Sequence, residues 1–506
     1  MSRLEYGDYQ TPVDFSRLVC KKLKDRYGIS PANLFEPTFG IGNFIESAID
    51  EFPEIRSVYG VEINRDYFEI TKQKNQSKSV LFNEDIFSFD FSNLHERIDK
   101  DEEFLILGNP PWVTNSQLSS VSSYNIPMKE NFKGLTGLDA ITGKGNFDVA
   151  EYITLQLLSE FQDYNCTVAL LCKNIVAKNI IRDMHKYSFN ISQADMYIFD
   201  ALSVFNVNCD AGLLVLKLGT TRTDICSVYD FNSDKIIKQF GWVDGRFLSD
   251  ISGASITSKI DGACQFEWRQ GVKHDCSKVM ELKTDKDGIF INGLGEQLQL
   301  PVGRYLFPLI KSSDIKSDVI KTTRKHVIVT QRKVKADTSV IGKEEPAIWE
   351  YLIKHQDKLN ARKSSIYKNS PIFSMFGVGD YSFSQYKIGI SGFYKEPKFA
   401  LIYGENPIML DDTCYFLSFD SRSDALITLA LLNSEDCIKF LKSVAFLDAK
   451  RPYTKEILKR IDILGLYQSI SFSDITDYIA KLDKDYLISQ QDYEYYLSSL
   501  ELKIAS

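Results

Sequence analysis

One stretch constrains the fold of this chain more than any other: Phe104-Leu105-Ile106-Leu107-Gly108-Asn109-Pro110-Pro111-Trp112. The apolar run reads as a buried strand that stops at Gly108. Pro110 and Pro111 fix φ and remove two backbone donors, so the turn after the strand is stiff. In open α/β sheets, ligands bind at the carboxyl ends of the strands. This turn offers two acceptors there, the Asn109 side-chain oxygen and the Pro110 carbonyl, beside the indole of Trp112. The set suits a planar ring with an exocyclic amine. The acceptors take the amino hydrogens and the indole stacks on the ring. The structural alternative is a proline-rich turn that closes a core strand over a buried Trp.

The residues upstream fit a nucleoside site. Thr11-Pro12 reads as an N-cap followed by a first helical residue, and a helix start of this kind can hold a carboxylate. A short strand at 33–35 leads into Glu36-Pro37-Thr38-Phe39-Gly40-Ile41-Gly42 and then a helix from Phe44 to about Phe52. Gly40 and Gly42 permit positive φ and close approach of a ligand to the backbone. A second strand ends in Glu62, about 20 residues past the glycines, where a carboxylate can accept both ribose hydroxyls. A third strand, 80–82, leads to Asp85, placed to accept from an adenine amino group. Each acid alone is more often a solvated strand-end residue; in register with the glycine loop they point to one site.

Downstream, the polar stretch from Thr114 to Lys144 reads as a loop or cap over the site. A helical pattern resumes near Asp148. Strands are expected at 166–172, 198–199 and 211–216, with Phe205 near the cleft. After Gly219 strands shorten and turn residues increase, and residues 247–262, rich in Ser, Gly and Asp, read as a linker. A helix is expected over 347–360, and surface helices from about Ser471.

Composition bounds the alternatives. The 506 residues suffice for two to four domains, and 44% hydrophobic with 25% charged residues is ordinary for a globular protein. No apolar run approaches the roughly 18 residues of a membrane span. The first eight residues carry no apolar signal region. The nine cysteines include no Cys-x-x-Cys, so neither a metal site nor a disulfide framework is expected. A cytoplasmic location follows as the expectation. Net charge is −8, yet residues 1–150 carry 16 Lys and Arg against 23 Asp and Glu, while residues 311–400 carry 17 against 9. A local basic region indicates a polyanion partner better than the total does.

Taken together, Thr11-Pro12, the Glu36 to Gly42 loop, Val61-Glu62, Asp85-Ile86 and Asn109-Pro110-Pro111-Trp112 resemble the γ-class DNA adenine-N6 methyltransferases, the type II restriction-modification methylases with an Asn-Pro-Pro-aromatic turn. The likeness covers about the first 220 residues. The order of motifs distinguishes the γ arrangement from the circularly permuted classes. Weaker likeness to the family's recognition domains lies in Pro308-Leu309-Ile310-Lys311, Asp412-Thr413-Cys414-Tyr415 and Arg451-Pro452-Tyr453-Thr454. Two positions depart from the commoner pattern. Trp112 stands where Tyr or Phe is usual, and Ile86 stands where many relatives carry an aromatic.

The resemblance implies an α/β fold. A Rossmann-like S-adenosylmethionine-dependent methyltransferase domain would span residues 1–250. A mixed α+β target-recognition domain with a helical tail would span 262–506. It implies S-adenosyl-L-methionine as cofactor, bound by Thr11, Glu36, Pro37, Gly40, Gly42, Glu62, Ile63, Asp85, Ile86 and Asn109. Catalysis falls to Asn109, Pro110, Pro111 and Trp112, with Phe205 as a second aromatic for a flipped adenine, and no metal. The expected partner is double-stranded DNA. A cognate restriction endonuclease is expected on a separate chain, since only about ten residues precede Thr11. A monomer without membrane attachment is expected. The absence of a Pro-Cys motif disfavours C5-cytosine chemistry, and N4-cytosine enzymes usually begin the turn with Ser. Other possibilities are methylation of an RNA base or a protein glutamine, and a non-catalytic DNA-binding specificity subunit.

Overall fold

The computed structural model describes residues 9–74, 78–113, 148–284, 288–447, 449–484 and 486–505. The cap expected at 114–144 and the residues before Tyr9 lie outside the described residues. The chain divides into two compact units, Met1–Ile251 and Ser252–Ser506.

In the first unit strands and helices alternate. The strands are β1 (Asn33–Glu36), β2 (Ser57–Val61), β3 (Ser79–Phe82), β4 (Phe104–Gly108), β5 (Cys166–Lys173), β6 (Ile191–Asp200), β7 (Asp210–Leu218), β8 (Ile225–Asp230), β9 (Ile236–Val243) and β10 (Arg246–Leu248). The helices are α1 (Val13–Tyr27), α2 (Asn43–Glu51), α3 (Arg65–Lys74), α4 (Ser92–His95), α5 (Val149–Glu160), α6 (Asn174–Tyr187) and α7 (Ala201–Phe205). The sheet order is β10-β9-β8-β6-β7-β5-β4-β1-β2-β3. From β3 to β5 every pairing is parallel, and β7 runs antiparallel between β5 and β6. Chain order reverses between β1 and β4, so their carboxyl ends flank a topological switch point, where such sheets bind ligands.

β4 is buried along its whole length, as expected for a parallel strand covered on both faces. Helices α1 and α2 pack together through buried apolar residues and a 2.7 Å hydrogen bond between Ser16 and Ser47.

Three expectations are corrected here. Pro12, with φ −58° and ψ 141°, is the N-cap of α1, and no side chain caps the helix, so Thr11 is not the cap. The strand expected at 198–199 is the ten-residue β6. It was obscured because Gln193 and Asp195 interrupt its apolar pattern; Asp195 is buried and accepts from Tyr27 and Gln193. Residues 247–262, expected as a linker, do contain the boundary between the two units, and they carry the end of β10, a 3₁₀ turn and a helix, Ala254–Ile260. Phe247 packs on Phe240 and Trp242, and Ile260 is buried. The tail from Ser471 is not purely surface, since Ile475, Ile479, Tyr496 and Leu500 are buried and Tyr496 hydrogen-bonds Thr428 at 2.7 Å.

The second unit holds two sheets. Six strands lie in the order Gln297–Leu298, Phe290–Asn292, Glu281–Thr284, Lys325–Ile328, Leu306–Ile310 and Met409–Leu410. Five lie in the order Arg269–Gln270, Cys414–Phe419, Tyr386–Ser391, Phe399–Ile402 and Val319–Ile320. The helix expected over 347–360 is two, Pro346–Lys354 and Gln356–Asn360. No described helix is long and apolar enough to cross a membrane.

Candidate active site

The glycine loop after β1 is held from both sides. Gly40 and Gly42 have φ of +53° and +80°, and a Cβ on them would overlap the side chains of Gln10 and Thr71. The Gly40 N–H donates to Glu62 Oε2 at 2.8 Å, and Thr71 Oγ1 donates to the Gly40 carbonyl at 3.2 Å. The other Glu62 oxygen accepts from the Asn64 N–H at 2.7 Å. Glu62 is therefore oriented by two backbone donors, and a carboxylate with about four acceptor positions retains capacity for hydroxyls.

This loop and the ends of β1 to β4 enclose a cavity of about 560 Å³. Thr11, Glu36, Pro37, Gly40, Glu62, Ile63, Asp85, Ile86, Asn109 and Pro111 line it. Gly42, Pro110, Trp112 and Phe205 do not. Its charged lining is uniform: Glu36, Glu62, Asp66, Glu84 and Asp85, with no Lys, Arg or His among the described residues.

Glu36 is buried, and its Oε2 has no hydrogen-bond partner among the described residues. Burial, and then the Glu62 carboxylate nearby, push its carboxyl well above the usual range. Thr38 Oγ1 is also buried and unpartnered among the described residues. Asp85 accepts from the Phe87 N–H at 3.0 Å, and burial raises its carboxyl too. Phe87, the residue after Ile86, also lines the cavity. A polar cavity wall with unsatisfied buried groups indicates a ligand site. Among the described residues no cluster is arranged to hold a metal ion.

Asn109 follows the end of β4. Its Nδ2 donates to the Tyr9 carbonyl at 2.8 Å, and its Oδ1 is buried without a partner among the described residues. Trp112 is 5% exposed, and its Nε1 donates to the Leu171 carbonyl at 3.3 Å. It meets Phe205 edge to face, with ring centroids 5.2 Å apart. The two aromatics expected on opposite faces of a base thus touch each other, and the indole belongs to the core.

Residues the sequence did not single out include Tyr9, Gln10 and Asn43. Gln10 Oε1 accepts from the Ile41 N–H at 3.1 Å, and Asn43 Nδ2 donates to the Thr11 carbonyl at 2.8 Å. The available signal was position: polar residues immediately before a helix and immediately after the glycine loop.

No protein-family model matches the chain. The fold is similar to that of the type IIL restriction-modification enzyme MmeI, solved in complex with DNA, with a TM-score of 0.56 at 12% identity. The likeness covers 97% of this chain and 73% of that one. Sheet order and this likeness define a Rossmann-like fold carrying an additional domain. The sequence is 40% identical over 470 residues to the type II methyltransferase M.NspV of Nostoc sp., covering 91% of this chain and 97% of that one. It is also 33% identical over 113 residues to the type II methyltransferase M.CvrRI of Paramecium bursaria Chlorella virus XZ-6E, 22% of this chain and 26% of that one. The chain belongs to the type II DNA methyltransferases of restriction-modification systems.

Proposed function

We propose that the protein transfers a methyl group from S-adenosyl-L-methionine to N6 of adenine within a specific double-stranded DNA sequence, protecting host DNA in a restriction-modification system. The observation that carries the cofactor is the cavity: among the described residues, five carboxylates and no cation line it. Such a wall repels a phosphate-bearing dinucleotide and favours a ligand with a sulfonium and an ammonium. The donor set fits. Glu36, buried with one oxygen unpartnered among the described residues, suits the ammonium; Glu62 suits the ribose hydroxyls; Asp85 suits the adenine amine. Gly40 and Gly42 keep side chains out of the loop, and Thr11, Pro37, Ile63 and Ile86 complete the wall or its support. The bound cofactor supplies an electrophilic methyl group.

The chain's own residues make the nucleophile. Asn109 Oδ1 and the Pro110 carbonyl accept the two amino hydrogens of the adenine. That draws the N6 lone pair out of conjugation with the ring. Pro111 stiffens the turn, so the acceptors are aimed before the substrate arrives. Transfer is direct and in line, without a covalent intermediate.

Duplex DNA hides N6, so the adenine is flipped out at a cost of a few kcal/mol. Trp112 belongs to the turn, and Phe205 touches it. Stacking a base between them requires the pair to separate from its present edge-to-face contact. Residues from about 262 onward form the recognition domain. Lys283, Lys311, Arg324 and Lys325 line a pocket of about 370 Å³ there, suited to backbone phosphate. The protein acts as a cytoplasmic monomer, and its cognate endonuclease is a separate chain.

The test is expression of the full chain in a methylation-free host, followed by sequencing that detects modified bases. N6-methyladenine at one defined site is the expected result. N4-methylcytosine, or no mark in DNA, overturns the proposal.

A further inference from the structure

A primary amide has two ends of similar size and opposite hydrogen-bonding character. Asn109 can serve an amino substrate only if its oxygen, not its nitrogen, is left for the substrate. Nothing in the Asn-Pro-Pro-Trp turn itself makes that choice. The structure supplies the missing constraint from more than 90 residues upstream. The Tyr9 carbonyl lies 2.8 Å from Asn109 Nδ2, and a carbonyl accepts only from the NH₂ end. Oδ1 is thereby left buried and without a partner among the described residues. Burying an unpaired acceptor is costly, so the arrangement persists because its partner arrives with the substrate.

The same segment reaches two further elements. Gln10 Oε1 accepts from Ile41 in the glycine loop, and the Thr11 carbonyl accepts from Asn43 in the first turn of α2. Three consecutive residues thus tie the catalytic turn, the cofactor loop and the helix behind it.

We propose that Tyr9–Thr11 is a positioning strap, and that the Tyr9 carbonyl decides which end of the Asn109 amide meets the target base. The consequence is selectivity for a base with an exocyclic amine over one with a keto oxygen. A keto oxygen would face the lone pairs of Oδ1 with no hydrogen between them. This rests on the proposed role of Asn109 as an acceptor for the substrate amine.

Asn109→Asp tests the strap through the sign of a pH profile. An ionised carboxylate would put an oxygen against the Tyr9 carbonyl and repel it. A protonated one donates an O–H to Tyr9 and leaves an acceptor oxygen for the substrate, as Asn109 does. Glu36, Glu62, Asp66, Glu84, Asp85, Tyr9 and Tyr67 line the same cavity in both proteins. The informative quantity is therefore the ratio of variant to wild-type turnover, with saturating radiolabelled S-adenosylmethionine and genomic DNA from the methylation-free host.

The ratio should rise as pH falls, by about tenfold per pH unit above the pKa of the introduced Asp, and then level off. A ratio that is flat or rises with pH overturns the proposal. So does a variant that binds cofactor by calorimetry yet is inert at every pH. A second measurement does not depend on the variant: in wild-type protein labelled at the Asn109 amide and the Tyr9 carbonyl, a through-hydrogen-bond NMR coupling between them is expected. Its absence also overturns the strap. A wild-type product other than N6-methyladenine would instead overturn the proposed function, while leaving the measured orientation of the amide intact.

Discussion

Two buried glutamates, one in each unit, have opposite electrostatics. Glu36, at the end of β1, is 2% exposed and keeps one oxygen unpartnered among the described residues; burial and Glu62 hold its carboxyl well above the usual range. Glu281, in the second unit, is 6% exposed and sits among cations. Lys325 Nζ lies 2.5 Å from one oxygen, Lys311 Nζ lies 2.6 Å from the other, and His274 Nε2 is at 3.6 Å. Burial alone would raise Glu281, but contacts from His274, Lys311 and Lys325 carry it well below the usual range. The lesson is that burial of a charge does not by itself mark a site. Glu281 is satisfied within the fold and serves structure. Glu36 is short of a cation, and the described residues that line the cavity beside it include none.

The contrast extends to the two pockets. In the first unit the described charged lining is all acidic; in the second, four cations surround Asp314. Lys283 and Lys325 stand directly opposite each other across neighbouring strands, an arrangement that costs free energy unless an anion lies between. Lys325 is paired with Glu281, whereas Lys283 is exposed and has no partner among the described residues.

The largest effect is expected where an unsatisfied group meets the reaction. Asn109→Ala should lower turnover on the order of 10²–10³, by analogy with removing one preorganised polar group at a transition state. Cofactor affinity by calorimetry should barely change. Full activity would sink the catalytic assignment.

Next comes a buried charge far less well paired than Glu281. Lys387 is 1% exposed, and its Nζ donates to the Ser384 carbonyl at 2.8 Å. Burial pushes its pKa down to about 7 from the ordinary 10.5. Between those values the unfolded chain holds the proton and the folded chain has lost it, so stability of the second unit should rise with pH through that window, by a few kcal/mol. Below about pH 7 the slope should vanish. Lys387→Met should remove the slope and stabilise the unit, read as urea midpoints at several pH values. A wild-type midpoint constant from pH 7 to 10 would contradict this.

The glutamates themselves sharpen the comparison. Glu281→Gln leaves Lys311 and Lys325 without their shared charge and should cost on the order of 3 kcal/mol of stability, with cofactor affinity intact. Glu36→Gln should do the reverse: unchanged or slightly raised stability, and cofactor binding weaker by about 1–3 kcal/mol. If both variants lose mainly stability, the distinction between a structural and a ligand-directed carboxylate fails here.

The smallest effect belongs to the surface. Lys283→Ala should reduce the slope of log DNA affinity against log salt by about one, without altering cofactor binding. An unchanged slope removes Lys283 from the phosphate contacts.

Short-range physics made much of the first unit legible from sequence. A fully buried parallel strand must be a continuous apolar run, so β4 was visible as Phe104–Gly108. Gly40 and Gly42 were visible because their left-handed backbone excludes most other residues. Acids at strand ends, Glu62 and Asp85, were visible by spacing from that loop, and both line the cavity. What tertiary structure alone decided is how distant groups satisfy one another. Asp195 looks like a break in a strand until Tyr27 donates to it. Trp112 looks like an open stacking platform until it is seen packed against Phe205 and bonded to Leu171. Residues 247–262 have the composition of a linker, yet Ile260 is buried. The sequence by itself determined that an amide would stand at the end of β4. Which end of that amide is tied, and which is left for a substrate, was decided by a carbonyl at Tyr9, because a hydrogen bond between residues 100 positions apart exists only once the chain has folded.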